Sequence, residues 1–382
     1  MRKLIGYELK KILFHPWVPL LFVFLLIVIV WSDIQVYRFS PDYARAGKEL
    51  YEQYGGTVTK EHYEAIQAIQ QGEETVSFSY FWKSDMLTNI RSLVSFSSMR
   101  SGIAKTALEN VVWYQQHEME YEARLNQKIA EAYQPEIRVQ LVSSEDWKTY
   151  FTDNQFTMAA LLLITILVCT IFPSERESGC DQVLAASATG RKGLFWAKYS
   201  AAMLISVSVM FCSVCVNWFV KRMCLPLTHL EVSVQSISYF ARCPYSLKIW
   251  QAVGIQWMLQ CVLALVYGIM MVALSSFFSK NLSGILSGGS WYLIGFLWWA
   301  FPIYHSGLMG INLENRQVVL WIEKLRAFCF PVLSDPEGYL IKLQCLNVAG
   351  YPVSTLHCCL FVTGIIVVVG TVVAYKYYTE AG

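Results

Sequence analysis

Charge is scarce in this sequence. Only 15% of its residues are Asp, Glu, Lys or Arg, whereas 55% are hydrophobic, and the formal net charge is +2. A balance this apolar excludes an ordinary soluble globular domain. The low net charge also excludes a globally basic nucleic-acid-binding protein, so no nucleic-acid partner is predicted.

Several catalytic motifs are missing as well. The sequence contains no GxxxxGK[ST] phosphate loop, no HExxH zinc motif and no GxSxG nucleophile elbow. No pair of acidic residues lies within its long apolar runs, so these runs carry no candidate catalytic group. The sequence therefore predicts a protein that is not an enzyme, with no catalytic residue, no metal site and no cofactor of its own.

Cysteine is absent before Cys169, although the whole chain has eleven cysteines. The segment that precedes Cys169 is therefore not a disulfide scaffold. Cys224, Cys243, Cys329 and Cys345 fall in segments predicted to face outward. Disulfide bonds and free thiols are both compatible with these four positions.

Long apolar runs are what the sequence does have. Six of them approach or exceed the roughly 20 residues with which an α-helix crosses a bilayer. They predict an all-α membrane protein with six transmembrane helices, at residues 18–31, 156–173, 199–220, 249–278, 282–303 and 353–375. No small-x-small cleavage site follows the first run, which is therefore predicted to be a retained anchor.

Basic residues near the ends of the runs predict the orientation. They favour a cytoplasmic N-terminus and a cytoplasmic tail at residues 376–382, because Lys and Arg concentrate in short cytoplasmic segments. Lys221 and Arg222 fall on the outer side in this arrangement and oppose the rule. The expected location is a multi-pass position in a plasma membrane.

The segments between the runs differ in character. Residues 32–155 are dense in charge and amphipathic in pattern, which predicts a helical extracellular domain with one long helix over residues 104–133. Residues 221–248 are predicted to be an outer loop. Residues 304–352 predict an outer re-entrant region of short helices, with an ordinary surface loop as the alternative.

Residues 1–17 predict an amphipathic helix in the inner membrane interface. Its apolar face is formed by Leu4, Ile5, Leu9, Ile12 and Leu13. Glu8, Lys10 and Lys11 lie largely off that face, next to Tyr7. A simple flank of the first crossing, with snorkelling lysines, is the alternative.

The loop at residues 174–198 is the most informative segment. Gly179 permits a sharp turn, residues 180–188 predict a short helix with Val183 and Leu184 on one side, and Gly190 ends it. Basic residues then precede the third crossing, where anionic headgroups lie. A short helix between charged ends suits docking into a groove on a soluble partner.

This loop, FPSERESGCDQVLAASATGRKGLFWAK, resembles the loop between the second and third crossings of ABC-2 type exporter permeases. In that family a Glu-(Arg)-x-x-Gly element precedes a short helix, a Gly-Arg pair and an Ala-Lys pair. The YELKKIL opening and the six crossings are similar too. The resemblance implies ATPase-coupling residues on both sides of the coupling helix at 180–188: Glu175, Arg176, Gly179, Val183, Leu184, Gly190, Arg191 and Lys198.

The resemblance also implies partners. Two ABC ATPase subunits, which bind ATP and Mg, would dock beneath the chain, and a second permease chain, identical or paralogous, would complete the pathway within the lipid of a bacterial plasma membrane. The family leaves the substrate open, with an antimicrobial peptide or another amphiphile as the favoured class. The sizeable outer domain is absent from the shortest family members.

The fourth and fifth runs hold the candidates for a pathway or a subunit seam. Gly284 and Gly288 form a GxxxG spacing beside Trp291, and Gln256 and Gln260 are amides within the fourth run. Amides there are more typical of hydrogen bonds between helices. The alternative function is a membrane sensor or scaffold, whose outer domain binds a ligand and whose inner loop recruits a partner.

Overall fold

A computed structural model describes residues 2–13, 17–36, 49, 51–52, 64, 78–134, 136–180, 190–308, 333–336, 339–341 and 343–380. These residues are mostly α-helical. The helices are α1 (Arg2–Leu13), α2 (Trp17–Val36), α3 (Phe78–Gln116), α4 (Glu120–Tyr133), α5 (Ser144–Thr152), α6 (Gln155–Val168), α7 (Pro173–Glu177), α8 (Gly190–Cys224), α9 (Ile249–Ser276), α10 (Asn281–Leu308) and α11 (Thr355–Glu380).

Among the described residues, four helical stretches are long and apolar enough to cross a membrane: Ser144–Glu177, Gly190–Cys224, Ile249–Ser276 and Thr355–Glu380. The first of them contains α5, α6 and α7. The four coincide with the second, third, fourth and sixth predicted crossings. A shorter apolar stretch, Leu20–Trp31, lies within α2 at the first predicted crossing, and α10 covers the fifth.

The stretch Ser144–Glu177 and helix α9 lie at the centre of the bundle. Their most apolar windows are 72% and 61% buried, against 33% for α8 and 17% for α11. Large apolar side chains of the two peripheral helices therefore point outward, among them Phe211, Phe219 and Phe361. Continuous apolar surface of this kind fits a lipid environment.

Helices α3 and α4 form an antiparallel hairpin. Asn110 Nδ2 donates to Asn126 Oδ1 at 3.3 Å, and Arg100 Nη2 donates to the carbonyl of Ala132 at 2.8 Å. The single helix predicted over residues 104–133 is therefore wrong. The chain turns between the two helices, where Glu118 has a φ of 57°.

A two-stranded antiparallel sheet precedes α11, so the described fold is not purely α-helical. Strand β1 (Cys345–Val348) pairs with β2 (Tyr351–Ser354), with Val348 opposite Tyr351. This β-hairpin occupies the end of the region predicted to be re-entrant helices. Residues 309–332 of that region lie outside the described residues.

The hairpin of α3 and α4 packs on two other segments that were predicted separately. Arg100 Nη1 donates to the carbonyl of Cys243 at 3.2 Å, in the 225–248 loop. Arg124 and Lys128 donate to the carbonyls of Gly350 and Pro352, in the β-hairpin, at 3.1 and 2.9 Å. We call α3, α4, residues 225–248 and the β-hairpin the α3–α4 layer.

Two of the cysteines considered for pairing, Cys243 and Cys345, are free thiols, the first buried and the second partly buried. Cys224 is buried as well. Burial raises the pKa of the Cys243 thiol to about 11. Cys329 lies outside the described residues.

Candidate functional site

Three elements meet at the end of the bundle where α7 lies. Pro173 occupies the first turn of α7, where a backbone N–H would have no partner within the helix, so proline loses no hydrogen bond there. Gly179, with a φ of 70°, turns the chain after α7, and Gly190, with a φ of 58°, begins α8. Helix α1 packs alongside α8 and brings the N-terminal charges to the same place.

A buried ion cluster joins these elements. Glu175 on α7 lies 2.7 Å from Lys11 Nζ on α1 and 2.7 Å from Lys198 Nζ on α8. Glu8 on α1 lies 3.8 Å from the same Lys198 amine. We call Glu8, Lys11, Glu175 and Lys198 the Glu175 cluster.

The Glu175 cluster is balanced in charge and nearly closed to water. Lys198 is fully buried, and the Glu175 and Glu8 side chains are 6% and 4% exposed, whereas Lys11 is 39% exposed. Lys198 also donates to the carbonyl of Ile171 at 3.0 Å. Because a buried charge without a partner costs several kcal/mol, each member depends on the others.

The two residues after Glu175 attach α7 to α9 and α10. Arg176 Nη1 donates to the carbonyls of Ser276 and Phe278, at 2.6 and 3.2 Å, at the carboxyl end of α9. Glu177 Oε2 accepts the backbone N–H of Asn281, at the start of α10, at 3.0 Å. A cation at a helix C-terminus and an anion at an N-terminus both suit the helix dipole.

Aromatic side chains surround the Glu175 cluster. Phe172 stacks on Phe195 at 6.1 Å between ring centroids and contacts Tyr378 of α11 at 4.6 Å. The Arg176 guanidinium lies 5.9 Å from the centre of the Tyr378 ring. These rings connect the cluster to α11 and shield it from water.

The N-terminal helix was predicted correctly as a helix, but one of its side chains was misplaced. Tyr7 is 68% exposed and Lys10 is exposed, as expected for the polar side of an interfacial helix. Glu8 was placed off the buried face and is instead 3% exposed, because it turns toward Lys198. Helical periodicity cannot reveal a partner that lies far along the chain.

The structure describes part of the predicted coupling loop. Gly179 makes the predicted sharp turn, and α8 begins at Gly190, before the predicted start of the third crossing at residue 199. Arg191, partly buried, and Lys198 therefore belong to α8 and not to the loop before it. Val183 and Leu184, the expected apolar side of the coupling helix, lie outside the described residues.

The glycines of the fifth run mediate contact between two helices of this chain. A Cβ atom on Gly284 would lie 2.6 Å from the carbonyl oxygen of Cys169, and one on Gly288 would collide with the Cys169 and Thr165 side chains. The GxxxG face is therefore occupied by the end of α6. Trp291, on the same helix, is 39% exposed.

The two amides of the fourth run make hydrogen bonds between helices. Gln256 Nε2 donates to the carbonyl of Phe151 at 3.0 Å, and Gln260 Nε2 donates to Thr157 Oγ1 at 3.1 Å. Both glutamines are buried. Both amides therefore form hydrogen bonds between helices, which is the role that amides in such runs more typically have.

No protein-family model matches this sequence, and the search of curated proteins finds no match. At the level of residues, the likeness to ABC-2 permeases therefore rests on the loop and the N-terminal helix. The structure adds that these two segments, distant in the sequence, meet at the Glu175 cluster.

Proposed function

We propose that this chain is the membrane subunit of an ABC-2 type exporter in a bacterial plasma membrane. It would cross the membrane six times, with both termini in the cytoplasm and residues 32–155 outside. Two ABC ATPase subunits would bind and hydrolyse ATP with Mg. A second permease chain, identical or paralogous, would complete the pathway.

The observation that carries the proposal is the ion pair between Glu175 and Lys198. These two residues flank the segment 180–188 in the sequence, and their 2.7 Å contact joins α7 before it to α8 after it. A partner that displaces residues 180–188 is therefore expected to move α7 and α8 together. The ion pair between Lys11 and Glu175 extends this coupling to α1.

Arg176 and Glu177 extend this connection toward a transport pathway. Their bonds to the end of α9 and the start of α10 mean that a displacement of α7 moves both helices. The apolar and aromatic character of α10 suits an amphiphilic substrate, for which an antimicrobial peptide is our favoured class. ATP hydrolysis outside the membrane would thus be coupled to helices inside it.

Copurification and ATP turnover test the proposal. The tagged chain should retain a P-loop ATPase, and replacing Val183 and Leu184 with Asp should abolish retention, because unpaired charges would be forced into an apolar groove. Lys198→Met should retain the ATPase but lose the stimulation of ATP turnover by substrate. Lys192→Met is the matched control, since Lys192 is an exposed lysine on the same helix.

Two results would contradict the proposal. The first is copurification of a kinase without any P-loop ATPase, which favours the sensor or scaffold. The second is normal ATPase retention by the double Asp variant, which removes residues 180–188 from the interface.

A further inference from the structure

A second buried ion pair lies near the other end of α8. Lys221 is fully buried and contacts the carboxylate of Asp153, whose side chain is 10% exposed. Asp153 stands just before α6 and accepts the backbone N–H of Gln155 through Oδ1 at 3.0 Å. The carboxylate therefore accepts a backbone N–H at the start of α6 and also pairs with α8.

The two buried lysines of α8 have partners on the same neighbouring stretch. Lys198 pairs with Glu175 and Lys221 pairs with Asp153, and both carboxylates belong to Ser144–Glu177. At about 1.5 Å per residue, the two lysines are separated by roughly 35 Å along α8. The hydrocarbon core of a bilayer is about 30 Å thick, so the pairs are spaced to flank it.

Aromatic residues surround each pair, as at the two interfaces of a membrane. Near Lys198 these include Phe172 and Phe195. One turn before Lys221, Trp218 contacts Tyr150 at 5.4 Å between ring centroids. Trp257 of α9 joins this second group and donates to Tyr150 Oη at 2.9 Å.

We infer that α8 and the stretch Ser144–Glu177 form a single strut, fixed in register by a buried ion pair at each membrane interface. Either pair alone opposes sliding of one helix along the other. Two pairs block sliding and axial rotation, because either motion would separate a buried lysine from its carboxylate. Asp153 and Lys221 are thus positioning residues.

The strut connects the Glu175 cluster to the α3–α4 layer. Beside Asp153, Trp147 Nε1 donates to the carbonyl of Thr228 at 3.2 Å, and Ser144 Oγ lies 2.6 Å from Ser238 Oγ. Both partners belong to residues 225–248. A displacement at one end of the strut therefore reaches the layer at the other end, and this inference requires no assumption about transport.

Paired neutral substitutions test the strut by removing both charges of an ion pair at once. The outer variant is Asp153→Asn with Lys221→Met, in which Asn keeps the oxygen that accepts the Gln155 N–H. The inner variant is Glu175→Gln with Lys198→Met. Hydrogen–deuterium exchange in nanodiscs, measured on peptides 161–168 and 201–210 between the pairs, reports whether the helices stay in register.

Each variant alone should leave exchange between the pairs nearly unchanged, because the remaining pair holds the register. Combining them should raise it more than about tenfold beyond the product of the two single effects, whereas sites this far apart normally act independently. Independent effects of the two pairs would overturn the inference.

A conservative variant distinguishes loss of the ion pair from general loss of folding. Lys221→Arg keeps the charge, so combining it with the inner variant should give the exchange of the inner variant alone. Arg222→Met, at an exposed neighbour, should do the same. Fast exchange in the combination with Lys221→Arg would also overturn the inference, since the ion pair would then not be what holds the register.

Discussion

Lys198→Met is the most direct test of the Glu175 cluster. The substitution keeps an unbranched side chain of similar length in a fully buried position and removes only the ammonium group. Glu175 then keeps Lys11 as its cation, whereas Glu8 loses its contact with Lys198 and the carbonyl of Ile171 loses the Lys198 donor. The variant therefore tests the charge of Lys198 separately from the packing of its side chain.

The magnitude follows from the burial of the carboxylates. Breaking a buried ion pair by removing one partner costs about 3–5 kcal/mol. Glu175 keeps Lys11 as a partner, and water can reach Lys11 because its side chain is 39% exposed. The expected loss in the free energy of unfolding is therefore near the lower end of this range, about 3 kcal/mol. At roughly 2–4 °C per kcal/mol, the unfolding midpoint should fall by about 10 °C.

Thermal unfolding in detergent, followed by size-exclusion chromatography, measures this shift. Lys192→Met, at an exposed position of the same helix, should unfold at the temperature of the unaltered protein. Adding Glu175→Gln to Lys198→Met should recover part of the loss, because the cluster then regains zero net charge and Glu175 no longer needs a cation. Equal midpoints for Lys198→Met and Lys192→Met would refute the argument that this buried charge is paired.

Other predictions concern the helix contact, the β-hairpin and a thiol. Gly288→Ala should destabilise the protein, because its Cβ meets the α6 side chains, whereas Gly289→Ala, with open space, should be neutral or stabilising by about 0.5 kcal/mol; thermal unfolding compares them. Arg124→Ala should speed hydrogen exchange in the β-hairpin by removing its bond to Gly350, while the exposed Lys105→Ala should not. Cys243 should resist a thiol reagent at pH 8 that modifies the exposed Cys180, because Cys243 is buried and burial raises the pKa of its thiol to about 11; equal modification of the two would contradict this.

Of the six crossings predicted from hydrophobic length, four correspond to helical stretches that are long and apolar enough to cross a membrane, because that signal is summed over many residues. The Glu175 cluster was only half predictable. Glu175 and Lys198 were singled out through the resemblance, but Glu8 was placed on the polar side of its helix. Its burial follows from a contact with Lys198, and one sequence carries no signal for a contact at that separation.

The breaks in the predicted helices were hidden by unusual turn residues. Glu118 adopts a φ of 57° between α3 and α4, and no Gly or Pro marks that turn. The β-hairpin turns at Ala349 and Gly350, both with positive φ, as a two-residue loop requires. Alanine in the first of these positions masks the usual Asn-Gly signal, so the segment was taken for short helices.

The contacts that join the segments of the α3–α4 layer differ in chemistry from those of the Glu175 cluster. The Glu175 cluster depends on carboxylates, which lose their charge and their partners when they are protonated. In the α3–α4 layer, Arg100, Arg124 and Lys128 each bind backbone carbonyls, which do not titrate. Burial lowers the pKa of the Arg100 guanidinium. The ordinary pKa of arginine is so high, however, that the group stays charged at physiological pH. These contacts between segments of the layer therefore do not rely on an ionised carboxylate, which suits a surface proposed to face an external medium of variable pH.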